Sequence, residues 1–420
     1  MSRLIKKIPL EDIPRLVELL NGAYPGIASY DEKSISVTVD QFQSMQESDP
    51  SLNFYGYYND QELIGAMRLH HFVMNLYGKR HPVGGVGFVG VDLLHKKEKV
   101  AKELLTSFIN HFNQKQCPLT LLYPFRPDFY KKMGFGYGTK MSRYRIKPTA
   151  FHDYKNKSRL SFLKQVDQPL VKACYTRFFS EHHGMIEKSE SEYKQLLSRP
   201  GHYVIGYEEN GELLGYFSFS FKKAHETNTM INDLQVEELI YNHPDALKAF
   251  STFFHSQADQ VNRVVIHTQD EDFHFFLNDP RNDTDEVIPH VYHEAHTSGV
   301  GLMYRVTNIP LLLNQLSYRR FGHVTCRLKL TIQDRFYPEN ETNTYVQVID
   351  GFIKKAALGE GPFDVALSLN VSDFSSLIMG SVPFHHLFRY GLINVSDSSY
   401  LPILNEMFFV QDKPICRTGF

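Results

Sequence analysis

The sequence predicts a chain of α/β and α+β character, with two mixed-sheet domains in series and then a smaller α+β domain. Three observations predict this. Residues 86 to 138 spell strand, basic loop, amphipathic helix, strand and tyrosine-bearing turn, the order of a βαβ unit. A β-hairpin from the first part of the chain recurs about 150 residues later. From about Asn308 the pattern changes to strands with one alternating strand-to-helix segment. At 420 residues the chain is too long for one core, and the breaks divide it into 1–150, 151–307 and 308–420.

Within the first part, RLIKKI (Arg3–Ile8) reads as a strand and EDIPRLVELLNGAY (Glu11–Tyr24) as a helix. Its acidic residues and Pro14 fall in the first turn, where a missing N–H costs little. Further helical character lies near Asp40–Met45. SLNFYGYYNDQELIGAMRLHHF (Ser51–Phe72) is a hairpin around a turn at Asn59–Asp60. VGFVGVDLL (Val86–Leu94) is the first strand of the βαβ unit and HKKEK (His95–Lys99) its basic loop. The helix carries Val100, Leu104, Phe108 and Phe112 on one face, every fourth residue. LTLLYP (Leu119–Pro124) is the second strand, and DFYKKMGFGYG (Asp128–Gly138) the turn. The N–H groups at the helix start, its dipole, and Lys96, Lys97 and Lys99 all face one place, which suits a phosphate-bearing ligand.

HYVIGYEENGELLGYFSFSF (His202–Phe221) aligns with the first hairpin without a gap. Gly56, Tyr57, Glu62, Leu63 and Gly65 match Gly206, Tyr207, Glu212, Leu213 and Gly215, five identities within ten positions. An apolar run near Glu238–Tyr241, a helix near Ala246–Ala258 and the strand RVVIH (Arg263–His267) repeat the order of elements. The copy lacks a basic loop: only NHPD (Asn242–Asp245) joins strand to helix, and no GFG turn follows. It reads as a second unit without a cofactor site. In the last part, Cys326–Glu341 is a strand followed by a turn. Asp364–Gly380 is a strand entering a helix, with Ser372 as N-cap and Asp373 beside it as a cap. The chain ends in FFVQDKPICRTGF (Phe408–Phe420).

Composition narrows the function. A formal charge of −2 argues against a general nucleic-acid or membrane-surface binder. Four cysteines (Cys117, Cys174, Cys326, Cys416) lie far apart with no CxxC, so neither a disulfide framework nor a zinc site is expected. The start has no apolar signal region and no 18-residue apolar run occurs, so a cytoplasmic protein is expected. Three histidine pairs, His70–His71, His182–His183 and His385–His386, do not chelate, because neighbours on a strand face opposite ways. No metal is expected.

The order strand, helix, helix, hairpin, strand, basic loop, helix, strand, tyrosine turn resembles the GNAT acetyltransferase fold. The three-part layout resembles Eis-type N-acetyltransferases: two GNAT-like mixed-sheet domains, the second without cofactor, then a sterol-carrier-protein-like α+β domain. The resemblance spans essentially the whole chain and is most specific at FYKKMGFG (Phe129–Gly136). It implies acetyl-CoA as co-substrate, with its pantetheine arm along Val89, Gly90 and Val91. The family's loop R-x-x-G-x-G/A aligns with Lys96, Lys97, Glu98, Lys99, Val100 and Ala101, and Lys102 follows. Lys99 stands where the pattern has glycine, so either the added cations compensate or affinity for CoA falls; compensation is the expectation. Phe125 and Arg126 lie where the family touches the cofactor, although Arg126 also reads as a surface cation.

Acetyl transfer to an amine needs the thioester held, its oxyanion stabilised, the amine deprotonated and the leaving thiolate protonated. The resemblance implies Tyr130 as general acid, within F-Y-x-x-x-G-F. It implies the α-carboxylate of Phe420 as base, reached by threading the chain's end into the first domain. Gly419 stands where family members often carry an acid. The resemblance also implies a primary-amine acceptor, of aminoglycoside, polyamine or lysine type, and a homo-oligomer, a hexamer. Two rivals stand beside this reading. One is a non-catalytic CoA- or lipid-binding protein with a decayed site, and the other an aminoacyl transferase on tandem GNAT domains.

Overall fold

A computed structural model describes every residue except Met1, Ser2, Ser29, Asp283 and Asp285. The first unit runs β1 (Arg3–Lys7), α1 (Ile13–Ala23), α2 (Glu32–Ser48), β2 (Leu52–Asn59), β3 (Glu62–Leu76) and β4 (Lys79–Val91). It continues with α3 (Val100–Gln114), β5 (Leu119–Leu122), α4 (Pro127–Lys132) and β6 (Gly136–Tyr137). Helix α1 buries Ile13, Leu16, Val17, Leu19 and Leu20, the face its spacing predicts. Helix α2 is longer than the expected Asp40–Met45, starting after Asp31, whose carboxylate accepts from the Ser34 N–H. Only Gln46 of α2 is buried, so its sequence carries little of the apolar stripe that marks a helix. Strand β4 begins seven residues before the expected Val86, because Tyr77 and Gly78 (φ 50° and 88°) make a tight reversal that pairs Lys79–Val91 with β3 along its length.

The second unit runs β7 (Met141–Ile146), β8 (Leu160–Phe162), α5 (Gln168–Glu181), α6 (Glu190–Ser198), β9 (His202–Glu209) and β10 (Glu212–Lys223). It continues with β11 (Asn232–Tyr241), α7 (Pro244–His255), β12 (Val261–Thr268), a small hairpin β13–β14 (Val287–Ile288, Tyr292–His293), β15 (Thr297–Gly299) and β16 (Met303–Val306). The third has α8 (Ile309–Gln315), β17 (Cys326–Gln333), β18 (Thr342–Ile349), β19 (Phe352–Leu358), β20 (Val365–Asn370), α9 (Val371–Ile378), α10 (Phe384–Arg389), β21 (Ile393–Val395) and α11 (Leu401–Met407).

The two large sheets repeat one design. The first has strand order β1-β2-β3-β4-β5-β16-β6, the second β15-β7-β12-β11-β10-β9-β8. In each an antiparallel hairpin leads to a strand that pairs in parallel across a helix with the next, β4 with β5 and β11 with β12. The sheets also exchange strands: β16 lies between β5 and β6 of the first, and β7, at residues 141–146, joins the second. The exchange does not follow the expected division at residues 150 and 307. A single sequence cannot show it, since β16 sits 181 residues beyond β5 and pairing that remote leaves no local pattern.

The third sheet, β19-β18-β17-β20-β21, packs on the first domain through one continuous core. Leu119, Leu121 and Met74 share that core with Leu328, Phe374, Leu377 and Cys416. Helix α9 corrects one expectation. Asn370 is its N-cap, while Ser372 and Asp373 lie inside the first turn. Asp373 is buried and pairs at 2.9 Å with Lys131 of α4, so it ties two domains together rather than capping a helix.

Candidate functional site

Strands β4 and β5 pair only at Gly84↔Thr120 and Gly85↔Leu121. Beyond Gly85 no strand among the described residues pairs with β4 on that side, and the sheet opens as a V. At the mouth, the β3 register slips so that Arg68 faces Gly87 while Ala66 faces Gly90. Phe88 and Val89 therefore oppose one residue, Met67. Phe88 takes φ 47°, a left-handed value rare for a bulky side chain. The bulge takes Phe88 and Val89 out of one-to-one pairing with β3, while Gly90 and Val91 still pair with Ala66 and Gly65, and the other edge of Val89–Val91 has no strand partner among the described residues. Tyr24 fixes it from α1's end, its hydroxyl donating to the Val89 carbonyl at 2.9 Å. Burial pushes the Tyr24 phenol up to about 12.

The basic loop follows. Lys97 and Lys99 have φ 70° and 68°, both left-handed, and Lys99 is the residue before α3. That conformation accounts for the glycine in the family pattern: this position turns the chain into the helix whichever residue stands there. Among the described residues Lys96, Lys97 and Lys99 have no carboxylate partner, while Glu98 lies 3.3 Å from His95 and 3.9 Å from Arg3. The loop thus offers uncompensated cations at a helix N-terminus whose first turn includes Val100, Ala101 and Lys102, a donor set that fits a pyrophosphate. Lys102 also lies 6.0 Å from the Phe336 ring.

Tyr130 lies in the short helix α4 rather than a bare turn, at 3% exposure. Phe125, Phe129 and Phe135 stand edge-on around its ring. Burial, with the neighbouring Tyr24 phenol adding to it, holds its hydroxyl well above the usual tyrosine range. It is therefore protonated at neutral pH, as a proton donor must be. Phe125 is 63% exposed. Arg126 is exposed and pairs with Asp128 at 2.7 Å, the surface position its sequence also allowed.

The chain's end reaches the same opening. The Phe420 ring packs 5.2 Å from His70, 4.9 Å from Phe72 and 5.2 Å from Tyr123. A Cβ placed on Gly87 would lie 3.5 Å from the Phe420 carbonyl carbon, 3.6 Å from Arg68 Nη2 and 3.7 Å from His70 Nε2. Gly87 precedes the bulge, so the last carboxyl group sits at its foot. Arg68 Nε donates to His70 Nε2 at 2.8 Å, which fixes the imidazole as acceptor. Burial and the adjacent Arg68 charge keep His70 neutral, far below its usual range, and burial lowers Arg68 to about 10.

Sequence reasoning missed Tyr24, Arg68 and Tyr123, and treated His70 as one of a pair. A signal existed: Arg68 and His70 share one face of a strand by period two, and an arginine amid apolar strand residues asks for a partner. Of the three histidine pairs only His70–His71 lies on a strand, β3; His182 ends helix α5 and His385 and His386 lie in helix α10, so the strand argument does not apply to those two pairs. His71 meets His111, with Nε2 atoms 3.3 Å apart. Among the described residues no group of three or more metal-ligating side chains converges, and no helix is long and apolar enough to cross a membrane.

Comparison with known proteins accords with this fold. Residues 4–138 and 184–306 each match the family model of the acetyltransferase (GNAT) domain, and residues 309–417 that of the sterol carrier protein domain. Similar solved structures include a GCN5-related N-acetyltransferase from Anabaena variabilis, at 17% identity and TM-score 0.78 over 100% of both chains. Another, from Kribbella flavida, has 17% identity and TM-score 0.77 over 100% of this chain and 98% of that one. Eis1 from Mycobacterium abscessus has 17% identity and TM-score 0.73 over 100% of both chains. No curated protein sequence matches the chain.

Proposed function

Because this chain belongs to the GNAT acetyltransferase superfamily and carries the Eis-type arrangement of two GNAT domains and a sterol carrier protein domain, we propose that this N-acetyltransferase transfers acetyl from acetyl-CoA to a primary amine by direct attack, in its first domain only. Lys96–Lys102 hold the pyrophosphate, the Val89–Val91 edge holds the pantetheine arm and polarises the thioester carbonyl, and Phe125 and Arg126 border the cofactor. The amine nitrogen bonds the acetyl carbon as the carbon–sulfur bond breaks. The amine's proton passes to the α-carboxylate of Phe420, and the leaving sulfur takes one from Tyr130. An alkylamine has a reference pKa of roughly 10.4, so a base is needed at neutral pH; a carboxylate near ~3.5 is ionised to serve.

The observation that carries this reading is the Phe420 carboxyl group at Gly87, beside the bulge at Phe88–Val89. The second unit supports single-site use, since Asn242 and His243 alone separate β11 from α7 and leave no room for a phosphate loop. Calorimetry with CoA is expected to give one site per chain. A panel of polyamine, aminoglycoside and lysine-peptide acceptors is expected to release free thiol with at least one. Two CoA per chain, or no thiol with any acceptor, would overturn it. We place the enzyme in the cytoplasm as a homohexamer, which light scattering tests by the mass of six chains.

A further inference from the structure

The last residues before Phe420 run through the second domain, where the first domain's cofactor opening has its counterpart. Strands β11 and β12 pair in parallel only as far as Val236↔Ile266, then part as β4 and β5 do. The tail occupies that end. The Cys416 N–H donates to Gln269 Oε1 at 2.6 Å, just past β12, and Arg417 Nη1 donates to the His267 carbonyl at 2.9 Å. Gln269 Nε2 in turn donates to the Thr139 carbonyl at 3.3 Å, and the Thr139 hydroxyl donates to the Pro414 carbonyl at 2.7 Å. Gln269 and Thr139 are buried.

The opposite wall is built for the same strand of chain. The Ile415 N–H donates to the His183 carbonyl at 2.9 Å. Gly184 has φ 91°, and a Cβ there would sit 2.8 Å from both the Ile415 carbonyl oxygen and Pro414 Cβ, so no other residue fits. Ile415 packs into the apolar cluster of Tyr175, Tyr193 and Val204 in the second domain. Past Arg417 the tail crosses to the first domain, where the Tyr123 hydroxyl, one residue beyond β5, donates to the Thr418 carbonyl at 3.0 Å. One segment thus leaves the parted strands of one sheet and ends in those of the other.

We propose that the second GNAT domain has replaced a cofactor with the chain's own end: the parting of β11 and β12 is a seat for residues 414–418, and Thr139, Gly184 and Gln269 are positioning residues that place Phe420 at Gly87. The catalytic consequence rests on the reading of Phe420 given above, but the seat itself does not. Phe420 lies two residues beyond Thr418, the last residue of the seat, so slack at the seat moves the carboxyl group directly. Buried hydrogen bonds at the seat therefore set its position.

The test is the double variant Thr139→Val, Gln269→Leu in the full chain, with Thr139→Ser as the conservative control. Release of Phe420 by carboxypeptidase reports how often the tail leaves its seat. Losing these buried hydrogen bonds is expected to speed release about tenfold or more. The turnover number should fall while CoA affinity stays within about twofold, and Thr139→Ser, which keeps the hydroxyl, should behave as wild type. An unchanged release rate in a variant that melts like wild type overturns the seat. If the variant does not fold, Gly184→Ala, which crowds the tail from the other wall, gives the same readout. Faster release with unchanged turnover upholds the seat and instead counts against Phe420 as base.

Discussion

Asp334→Ala should unseat the helix that carries Tyr130, and the structure gives the size of the effect. Arg305, on the exchanged strand β16, and Asp334 are 0% and 1% exposed and pair at 2.6 Å. The guanidinium also donates to the Met133 carbonyl at the end of α4 and lies between the rings of Phe135 and Phe336. Gly134, at φ 84°, lets it approach so closely that a Cβ there would overlap it. Asp334 further accepts from the Tyr337 N–H and the Asn340 side-chain amide, both at 3.1 Å. Alanine would strand a buried cation and two donors. Removing one partner of a buried pair costs about 3–5 kcal/mol, while replacing both by apolar residues is often neutral or better. At roughly 2–4 °C per kcal/mol, the first unfolding transition should drop by about 6–20 °C. Thermal melts of Asp334→Ala, Asp334→Leu and the double variant Arg305→Met, Asp334→Leu decide it. A loss under about 1 kcal/mol for Asp334→Ala, or a double variant no more stable than Asp334→Leu alone, would refute the reasoning.

Four further outcomes are expected. Tyr130→Phe should keep CoA binding and lower turnover by ~10²–10⁴-fold where chemistry limits the rate, since the ring packing survives and only the proton donor is lost; stopped-flow thiol detection checks this. Lys99→Gly should relieve a left-handed strain of about 1–2 kcal/mol, partly offset by ~0.5–1 kcal/mol of added chain entropy, while Lys96→Ala with Lys97→Ala should weaken CoA binding with a shallower salt dependence; melts and calorimetry at two salt concentrations measure both. Finally, His183 stacks on Tyr77, accepts from the Tyr77 N–H at 3.3 Å and contacts the Met379 carbonyl at 3.1 Å, and burial lowers it to about 4. Its unfolded form binds a proton near pH 6.5 and its folded form only near 4. Stability is therefore complete above about pH 6.5 and falls toward pH 4, by at most ~1.4 kcal/mol per pH unit from this residue. His183→Gln should flatten that slope in urea titrations.

Much of the site was legible where the signal is local. The stripe Val100, Leu104, Phe108, Phe112 is buried as spaced, and the basic loop meets the start of α3. The recurring hairpin is real in the sense that both copies occupy the same place in their sheets. What stayed hidden depends on long-range placement. The bulge at Phe88–Val89 arises from register against β3, and nothing in VGFVG marks it. Ser372 was expected as a cap, yet the helix starts at Val371 and Asp373 pairs with Lys131. Arg305 and Asp334 find each other only because β16 changes sheets. The tail's path is invisible in TGF, and the role expected of Phe420 came from resemblance rather than from the residues.

The measurement that tests the mechanism most directly is the acetylation rate of a chain extended by a few residues after Phe420. Extension would replace the carboxylate at Gly87 with a peptide group and carry the charge up to roughly 3.3–3.6 Å away per added residue, beyond proton-transfer reach. The cofactor loop at Lys96–Lys99 is untouched, so CoA should bind as before. The expected result is a protein, intact by mass, that binds CoA normally and has lost most of its acetylation, with an N-terminal extension as an active control. Acetylation by the extended chain at the unextended rate would contradict the terminal-carboxylate mechanism.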